Sequence, residues 1–303
     1  MTLRFRRIAL FGSAIALSLA GAAIAQQQPD WNAIQVTAQP IRPGVAVLFG
    51  NGGNIGVSYG ADGTLIVDDQ FAPLAGKIQG AIAGLGASPV KFLVNTHWHF
   101  DHAGGNEPFG KAGAIIVAQE NVRARLITGG TAAGNVTPPA PQEALPILTY
   151  DHSVSFHLNG DTIDVIHTGG GHTDGDSAVY WRKANVLHTG DMMMNGQGFP
   201  FIDLSSGGNV QHLLVSLDQL IAMTNSATVI IPGHGPLASR ADLIAWRGTI
   251  ATAVDKVSAL RAAGQTLEQA KAAKPLAGMS NNPNGFIGDD AFVESIWGSL
   301  EAH

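Results

Sequence analysis

The sequence contains no cysteine among its 303 residues. Disulfide bonds and thiolate metal sites are therefore excluded, so any metal ion must be held by histidine and carboxylate side chains. Charged residues are also scarce, at 13%, and the lysines and arginines after residue 25 form no cluster. Without a basic cluster the chain lacks the phosphate contacts on which nucleic-acid affinity depends, and we expect no nucleic-acid partner.

Long apolar runs are absent except for one near the N-terminus. Arg4, Arg6 and Arg7 precede an apolar run that begins at Ile8, and the small residues Ala23-Ile24-Ala25 follow it. This order is typical of a cleaved secretory signal peptide, and the run is too short for a lasting anchor. We therefore predict that residues 1–25 are a signal peptide cleaved after Ala25, by the general or the twin-arginine route. The mature protein is then periplasmic or secreted and is not inserted in a membrane.

The remaining chain alternates short apolar runs with glycine turns and amphipathic stretches. Runs between Val45 and Asp69 predict a meander of three strands. Further strands are predicted at 91–96, 115–118, 153–158, 162–166, 177–181, 185–188 and 227–232, and helices at 74–85, 121–126, 210–223 and 239–263. The pattern predicts an α/β (α+β) fold, an αββα sandwich of two mixed sheets flanked by helices.

No linker divides residues 26–303, which we predict to form a single domain with a C-terminal helical extension. One segment, from Thr128 to Pro146, is a loop rich in glycine, proline and alanine. Loops of this length inside a compact domain are usually functional or disordered. This loop is a candidate rim of a substrate site.

Ligand-type side chains are concentrated directly after the predicted strand at 91–96. The segment Thr96-His97-Trp98-His99-Phe100-Asp101-His102 places three imidazoles and a carboxylate within six residues. Alternate positions at a strand end can point to one side while the next positions turn to a neighbouring point. One loop can therefore serve two metal ions, which packing alone does not explain.

Three more potential ligands follow predicted strands or glycine turns, at His172, Asp191 and His234. Glycines before each of them allow the backbone to bend sharply and approach closely. Five other histidines are weaker candidates for metal ligands and are predicted to be surface or core residues. They are His152, His157, His167, His188 and His212.

In the motifs THWHFDH, GGGHTDGDS, HTGDMMMN and PGHG, the sequence resembles the metallo-β-lactamase superfamily over roughly residues 45–260. The resemblance implies the metallo-β-lactamase fold and two Zn²⁺ ions per chain. It implies that His97, His99 and His172 hold the first ion, that Asp101, His102 and His234 hold the second, and that Asp191 bridges both.

The residue types suit this chemistry, since imidazole and carboxylate bind Zn²⁺ and two such ions can activate a shared hydroxide and polarise a carbonyl. Asp101 is the candidate catalytic group, orienting the nucleophile and handling protons. A supporting carboxylate is expected at Asp68, which would accept the free N–H of a ligand imidazole and fix its tautomer; Asp69 is the competing candidate.

The aspartate at position 191 bears on the reaction. Zinc β-lactamases of the familiar kinds carry cysteine or serine near that point, whereas the glyoxalase II and lactonase branches carry aspartate. We predict an exported binuclear zinc hydrolase that cleaves a C–N or C–O acyl bond of a small-molecule substrate by metal-bound hydroxide, with a β-lactam or lactone ring as the substrate class.

Three alternatives remain open at this point. The same residues could hydrolyse a thioester, as in glyoxalase II, or a phosphoester. A mononuclear iron persulfide dioxygenase would need only two histidines and a carboxylate. A secreted metal-binding protein without catalysis is the third.

Overall fold

A computed structural model describes residues 29–301 of the chain. The signal peptide predicted for residues 1–25 lies outside these described residues, so it stays a prediction. Within residues 29–301, no helix combines the length and the apolar character that crossing a bilayer requires.

Fifteen strands and eight α-helices make up the described part of the chain. The strands are β1 (Thr37–Arg42), β2 (Val45–Phe49), β3 (Ile55–Gly60), β4 (Gly63–Val67), β5 (Val90–Val94), β6 (Ile115–Gln119), β7 (Gly130–Ala132), β8 (Asn135–Thr137), β9 (Leu148–Tyr150), β10 (Ser153–Leu158), β11 (Asp161–His167), β12 (Ser177–Trp181), β13 (Val186–His188), β14 (Val229–Ile231) and β15 (Ala238–Ser239). The helices are α1 (Ala75–Gly84), α2 (Phe100–Ala103), α3 (Asn106–Lys111), α4 (Glu120–Thr128), α5 (Val210–Met223), α6 (Arg240–Ala262), α7 (Leu267–Ala272) and α8 (Asp289–Glu301).

The strands form two large mixed sheets. The first has the order β1-β2-β3-β4-β5-β6-β9 and the second the order β10-β11-β12-β13-β14-β15. Because successive side chains of a strand point to opposite faces, Leu65 and Val67 of β4 face the second sheet while Ile66 faces outward. Val165 and Trp181 meet the first pair from the second sheet. The two sheets therefore pack face to face over one apolar layer.

Helices cover both outer faces. Ile66 packs against Ile78 of α1 on the first sheet. On the second sheet, Leu187 and Ile230 belong to one buried cluster with residues of α5, α6 and α8. The predicted αββα sandwich is confirmed, and the C-terminal helices form its second helical layer.

The predicted loop between Thr128 and Pro146 contains more structure than its composition indicated. Strands β7 and β8 pair there as an antiparallel hairpin, separate from both large sheets. The sequence prediction also missed β1, β9, β15, α2 and α3, and it gave a C-terminal helical extension without bounds for α8. β1 is largely exposed, and an exposed strand has no apolar alternation to signal it.

Candidate metal centre

Parallel strand pairs bring the candidate ligands to one edge of the sandwich. β4 and β5 are parallel, with Val67 opposite Val94, so that the residues after both strands emerge side by side. β13 and β14 are also parallel. Asp191 and His234 each follow these strands by three residues. Since the carboxyl ends of parallel strands lie at the same sheet edge, both sheets deliver their ligands to a common point.

All seven predicted ligands meet at this edge. Their ligand atoms form three overlapping groups in which the atoms lie within 4.8 Å of one another. The groups are His97-His99-His172, His97-His102-Asp191 and Asp101-His102-His234.

Short distances separate inward-facing atoms within the groups. His172 Nε2 lies 2.8 Å from His99 Nδ1. At the other end of the site, His102 Nε2 lies 3.2 Å from His234 Nε2, which is itself 3.3 Å from Asp101 Oδ2. The site thus has one all-imidazole end and one end with a carboxylate.

Asp191 lies between the two ends. Its Oδ2 atom is 3.6 Å from His172 Nε2 and 3.4 Å from His234 Nε2. Its Oδ1 atom is 3.0 Å from His102 Nε2 but has no hydrogen-bond partner of acceptable geometry. The position between both groups is the one that a bridging ligand requires.

Outward-facing ring nitrogens are held by acceptors. His102 Nδ1 lies 2.7 Å from Asp68 Oδ2, and His172 Nδ1 lies 2.7 Å from the Phe201 carbonyl oxygen. His99 Nε2 lies 2.9 Å from Asp203 Oδ2. Because carboxylate and carbonyl oxygens only accept, each of these outward nitrogens donates, which leaves the inward nitrogen with a lone pair.

Inward lone pairs that face each other at such distances repel unless a cation lies between them. His99 Nδ1 and His172 Nε2 are one such pair, and the buried His97 Nε2 has no hydrogen-bond partner at all. Neutral imidazole and carboxylate are the donors that zinc prefers when cysteine is absent. These residues therefore fit metal ions.

The pKa shifts of the histidines distinguish the same two ends of the site. Burial, and then His102 and His172, hold the pKa of His97 well below its usual range. Burial and His99 likewise lower the pKa of His172 to about 4. At the other end, burial opposes protonation of His234, yet Asp191 and Asp101 raise its pKa to about 10. The imidazole end is thus neutral, and the carboxylates attract positive charge to the opposite end.

The Metallo-beta-lactamase superfamily model matches residues 51–234, which include every candidate ligand. This chain belongs to the metallo-β-lactamase superfamily. The family is one of metallo-hydrolases and binds metal ions, and this chain has clusters of histidine and aspartate suited to them.

Curated members of the superfamily match at low identity. The probable metallo-hydrolase YqgX of Bacillus subtilis is 28% identical over 57% of this chain and 83% of its own length. The acyl-coenzyme A thioesterase MBLAC2 of Gallus gallus is 26% identical over 61% of this chain and 73% of its own. The type 2 metallo-beta-lactamase of Bacteroides fragilis is 26% identical over 50% of this chain and 55% of its own length.

Solved structures confirm the metallo-β-lactamase fold. A metallo-beta-lactamase from Pontibacter korlensis aligns with 69% of this chain and 96% of its own, with a TM-score of 0.58 and 22% identity. A double mutant of the sec-alkyl sulfatase PisA1 covers 86% of this chain and 50% of its own, with a TM-score of 0.65 and 15% identity.

Asp68 lies beside the ligand groups and contacts His102, as the sequence analysis expected for a supporting carboxylate. Besides His102, it accepts hydrogen bonds from the backbone N–H and the hydroxyl of Thr96, at 2.7 and 2.8 Å. Its backbone has a φ of 64°, which a residue other than glycine rarely adopts. Asp69, the competing candidate, instead accepts from the backbone N–H of Gly105 at 2.8 Å.

Two glycines allow the ligands to approach the backbone closely. A Cβ atom at Gly233 would lie 2.0 Å from Asp191 Oδ1, and one at Gly53 would lie 2.3 Å from His102 Cε1. Contacts between unbonded atoms at these distances are not possible, so any larger residue would displace a ligand.

Sequence reasoning missed two supporting carboxylates. Asp203 holds His99 from 104 residues away, and no local pattern signals such a contact. Asp176 accepts hydrogen bonds from the backbone N–H groups of His172 and Thr173, at 2.7 and 3.0 Å. Its position four residues after His172, in a glycine-rich turn, was an available signal, because aspartate often caps nearby backbone N–H groups.

The five weaker histidines stay outside the ligand groups found in residues 29–301. His188 is fully buried, accepts from the Gly190 N–H at 3.1 Å and lies 2.9 Å from the Asn54 carbonyl oxygen. It therefore supports the turn that carries Asp191 rather than a metal ion.

The metal centre opens into a cavity of about 340 Å³, which we call the metal pocket. Four phenylalanines line it, together with Met194 and three amide side chains; they are Phe71, Phe100, Phe201, Phe286, Asn51, Asn135 and Gln197. Among Met192, Met193, Met194, Phe199 and Phe201, it is Met194 and Phe201 that line the pocket. Met192, Met193 and Phe199 are buried in the core instead.

Proposed function

We propose that this chain is an exported hydrolase that holds two zinc ions and cleaves an acyl bond of a small uncharged cyclic ester, a lactone. The position of Asp191 carries this proposal, because its carboxylate lies within 3.6 Å of ligands from both ends of the site. A single carboxylate between two ligand groups is suited to two ions that act together.

His97, His99 and His172 would hold one ion, and Asp101, His102 and His234 the other, with Asp191 shared. When bound, such a pair of ions lowers the pKa of water and polarises the carbonyl under attack.

Asp101 is the residue best suited to handle the proton. Its side chain is 23% exposed and lines the metal pocket, whereas that of Asp191 is only 4% exposed. Burial would raise the pKa of Asp101, but His102 and His234 lower it, so the group is an ionised carboxylate. A carboxylate at the pocket surface can orient the attacking group and accept its proton.

The lining of the metal pocket favours an uncharged substrate. No lysine or arginine lines it among the described residues, and its ionisable side chains are the candidate ligands themselves. A β-lactam antibiotic carries a carboxylate and coenzyme A carries phosphates, in both cases away from the bond that is cleaved. Each of these charges would enter an apolar pocket without a cationic side chain to pair with it. This is why we place a lactone before a β-lactam or a coenzyme A thioester.

A mononuclear iron dioxygenase would use two histidines and one carboxylate. His99, His102 and His234 would then have no ligand role. All three nevertheless belong to the ligand groups, and carboxylates hold the outward ring nitrogens of His99 and His102. A purely metal-binding protein would have no need of a pocket beside the ions. Both alternatives are therefore less well supported.

The decisive experiment is a substrate comparison with the purified mature protein. Hydrolysis of dihydrocoumarin, a lactone, is measured beside nitrocefin, a chromogenic β-lactam, and an acyl-coenzyme A thioester. We expect the lactone to have the highest kcat/KM, and Asp191→Ala to abolish its turnover. Asp164→Ala is the matched control, because Asp164 is buried but pairs with Ser155 and Arg182 away from the site. Faster nitrocefin turnover would move the assignment to β-lactams, and turnover of none of the three would contradict the proposal.

Export is supported by the leader sequence at residues 1–25. If it is right, the protein recovered from a periplasmic fraction will have the mass of a chain that begins at Gln26. A full-length chain confined to the cytoplasmic fraction would contradict it.

A further inference from the structure

A second cavity adjoins the metal pocket. It has a volume of about 680 Å³, and we call it the tail groove. Its walls include two tryptophans, an exposed valine and two prolines, Trp31, Trp98, Val136, Pro138 and Pro139. Both cavities lie within the range of about 300 to 1,000 Å³ that is usual for small-molecule sites.

The tail groove and the metal pocket are continuous. Phe71, Phe100 and Asn135 line both. The ring centroids of Trp31 and Phe71 are 5.0 Å apart, and those of Phe71 and Phe100 are 5.8 Å apart. A row of aromatic rings therefore runs from the groove to the metal pocket, with the Asn135 amide as the polar side chain that both cavities share.

One element covers both cavities. The β7–β8 hairpin presents Ala132 and Ala133 to the metal pocket, and its second strand presents Val136 to the tail groove. The hairpin is anchored, because Ser205 donates to the Thr131 carbonyl oxygen at 3.3 Å and Ala140 donates its N–H to the Leu126 carbonyl oxygen at 2.8 Å. A ligand that lies under this hairpin would extend from the metal centre into the groove.

The groove is suited to an apolar ligand rather than a charged one. Among residues 29–301, the one ionisable side chain along its wall is Glu107, which forms an ion pair with Lys111. Val136 is 78% exposed to solvent. An exposed apolar surface beside an active site is a common mark of a ligand-binding surface.

We propose that the tail groove binds an acyl or alkyl chain on the substrate, whose reactive carbonyl lies at the metal centre. This inference rests on the proposed function for the reactive end and adds an apolar tail of several carbons. Lactones and esters with long side chains are then better substrates than their short analogues. Each methylene that enters the groove is expected to improve kcat/KM roughly two- to fourfold until the groove is filled.

The first test is a binding measurement that needs no turnover. Octanamide and acetamide, which differ only in chain length, are titrated into the mature protein while the tryptophan fluorescence is followed, since Trp31 and Trp98 line the groove. We expect saturable quenching by octanamide and none by acetamide. Val136→Asp should weaken octanamide binding severalfold by placing a hydrated charge on the groove wall. Val215→Asp is the matched control, because Val215 is 56% exposed on α5 and lines neither cavity. Equal binding of both amides, or equal effects of the two variants, would overturn the proposal.

The second test distinguishes binding of the chain in the groove from hydrolysis at the metal centre. p-Nitrophenyl acetate, butyrate and octanoate are compared with wild-type and Val136→Asp protein. A rise in kcat/KM with chain length that is lost in Val136→Asp supports the groove. Turnover that does not depend on chain length would refute the groove and leave the proposed function standing. Octanamide binding with hydrolysis of neither dihydrocoumarin nor any ester would support the groove and contradict the proposed function.

A second copy of the chain is the competing occupant of this surface. Light scattering after size-exclusion chromatography distinguishes it. A dimer that Val136→Asp dissociates, together with no octanamide binding, would assign the groove to self-association and overturn the proposal. We expect the same mass for wild type and variant.

Discussion

Replacing Asp203 by alanine perturbs the metal centre without touching a candidate ligand. Asp203 Oδ2 lies 2.9 Å from His99 Nε2, and the same carboxylate accepts from the hydroxyls of Ser205 and Ser206. Ser206 in turn accepts from the indole N–H of Trp98 at 3.0 Å. Removing the carboxylate leaves His99 free to rotate and to exchange its tautomer, so its inward nitrogen is no longer held for a metal ion.

The size of the effect follows from the role of the carboxylate. Loss of a hydrogen bond that orients a metal-bound imidazole typically costs about 10- to 100-fold in metal affinity. This range corresponds to roughly 1.4 to 2.7 kcal/mol of binding free energy. Burial would raise the pKa of Asp203, but hydrogen bonds from His99, Ser205 and Ser206 hold it below its usual range. The Asp203 carboxylate is therefore ionised between about pH 6 and 8, and the loss should not depend on pH in this range.

The assay is a competition titration of zinc against a fluorescent chelator, with Asp203→Ala, wild type and the control Asp164→Ala. We expect the weaker affinity in Asp203→Ala to affect one of the two ions. The Asp203 carboxylate contacts His99 and its backbone N–H donates to the His172 carbonyl oxygen, and both of these are candidate ligands of the first ion. Affinities equal to wild type for both ions would refute the positioning role. An equal loss in Asp164→Ala would show a general effect on stability instead.

Other expected outcomes test the site and the fold separately. Gly233→Ala should abolish turnover and lower zinc content, since its Cβ would lie 2.0 Å from Asp191 Oδ1, whereas Gly248→Ala, with nothing within 4 Å, should remain fully active. Removal of metal with a chelator should lower the Tm, because Asp101 and Asp191 then repel each other. Added zinc should restore the Tm, and added magnesium should not. An unchanged Tm would argue against a resident metal. Ser239→Ala should lower the free energy of unfolding by about 1 kcal/mol in a denaturant titration, through loss of the cap that opens α6; the exposed Thr252→Ala on the same helix is its control.

Short sequence patterns predicted the elements that interactions between neighbouring residues stabilise. The three-strand meander, the helix predicted at 239–263 and the ligand loop after β5 all closely match the bounds or residues that the sequence indicated. Apolar alternation and cap residues act over a few positions, so they can be read from a short window.

The rest depends on contacts between distant segments. Asp203 reaches His99 only because the loop after β13 returns to the THWHFDH segment in the folded chain. The hairpin β7–β8 escaped prediction because short exposed strands in a loop rich in glycine and proline carry no apolar period. The continuity of the tail groove with the metal pocket likewise arises from three separate segments, at Trp31, Phe71 and Val136.

The central claim is that two zinc ions share the carboxylate of Asp191. Elemental analysis of the purified mature protein tests it directly, beside the Asp191→Ala variant. We predict about two zinc ions per chain in wild type and fewer in the variant, with turnover lost. A single iron per chain in a protein that cleaves no lactone, ester or β-lactam would contradict the account and favour the oxygenase.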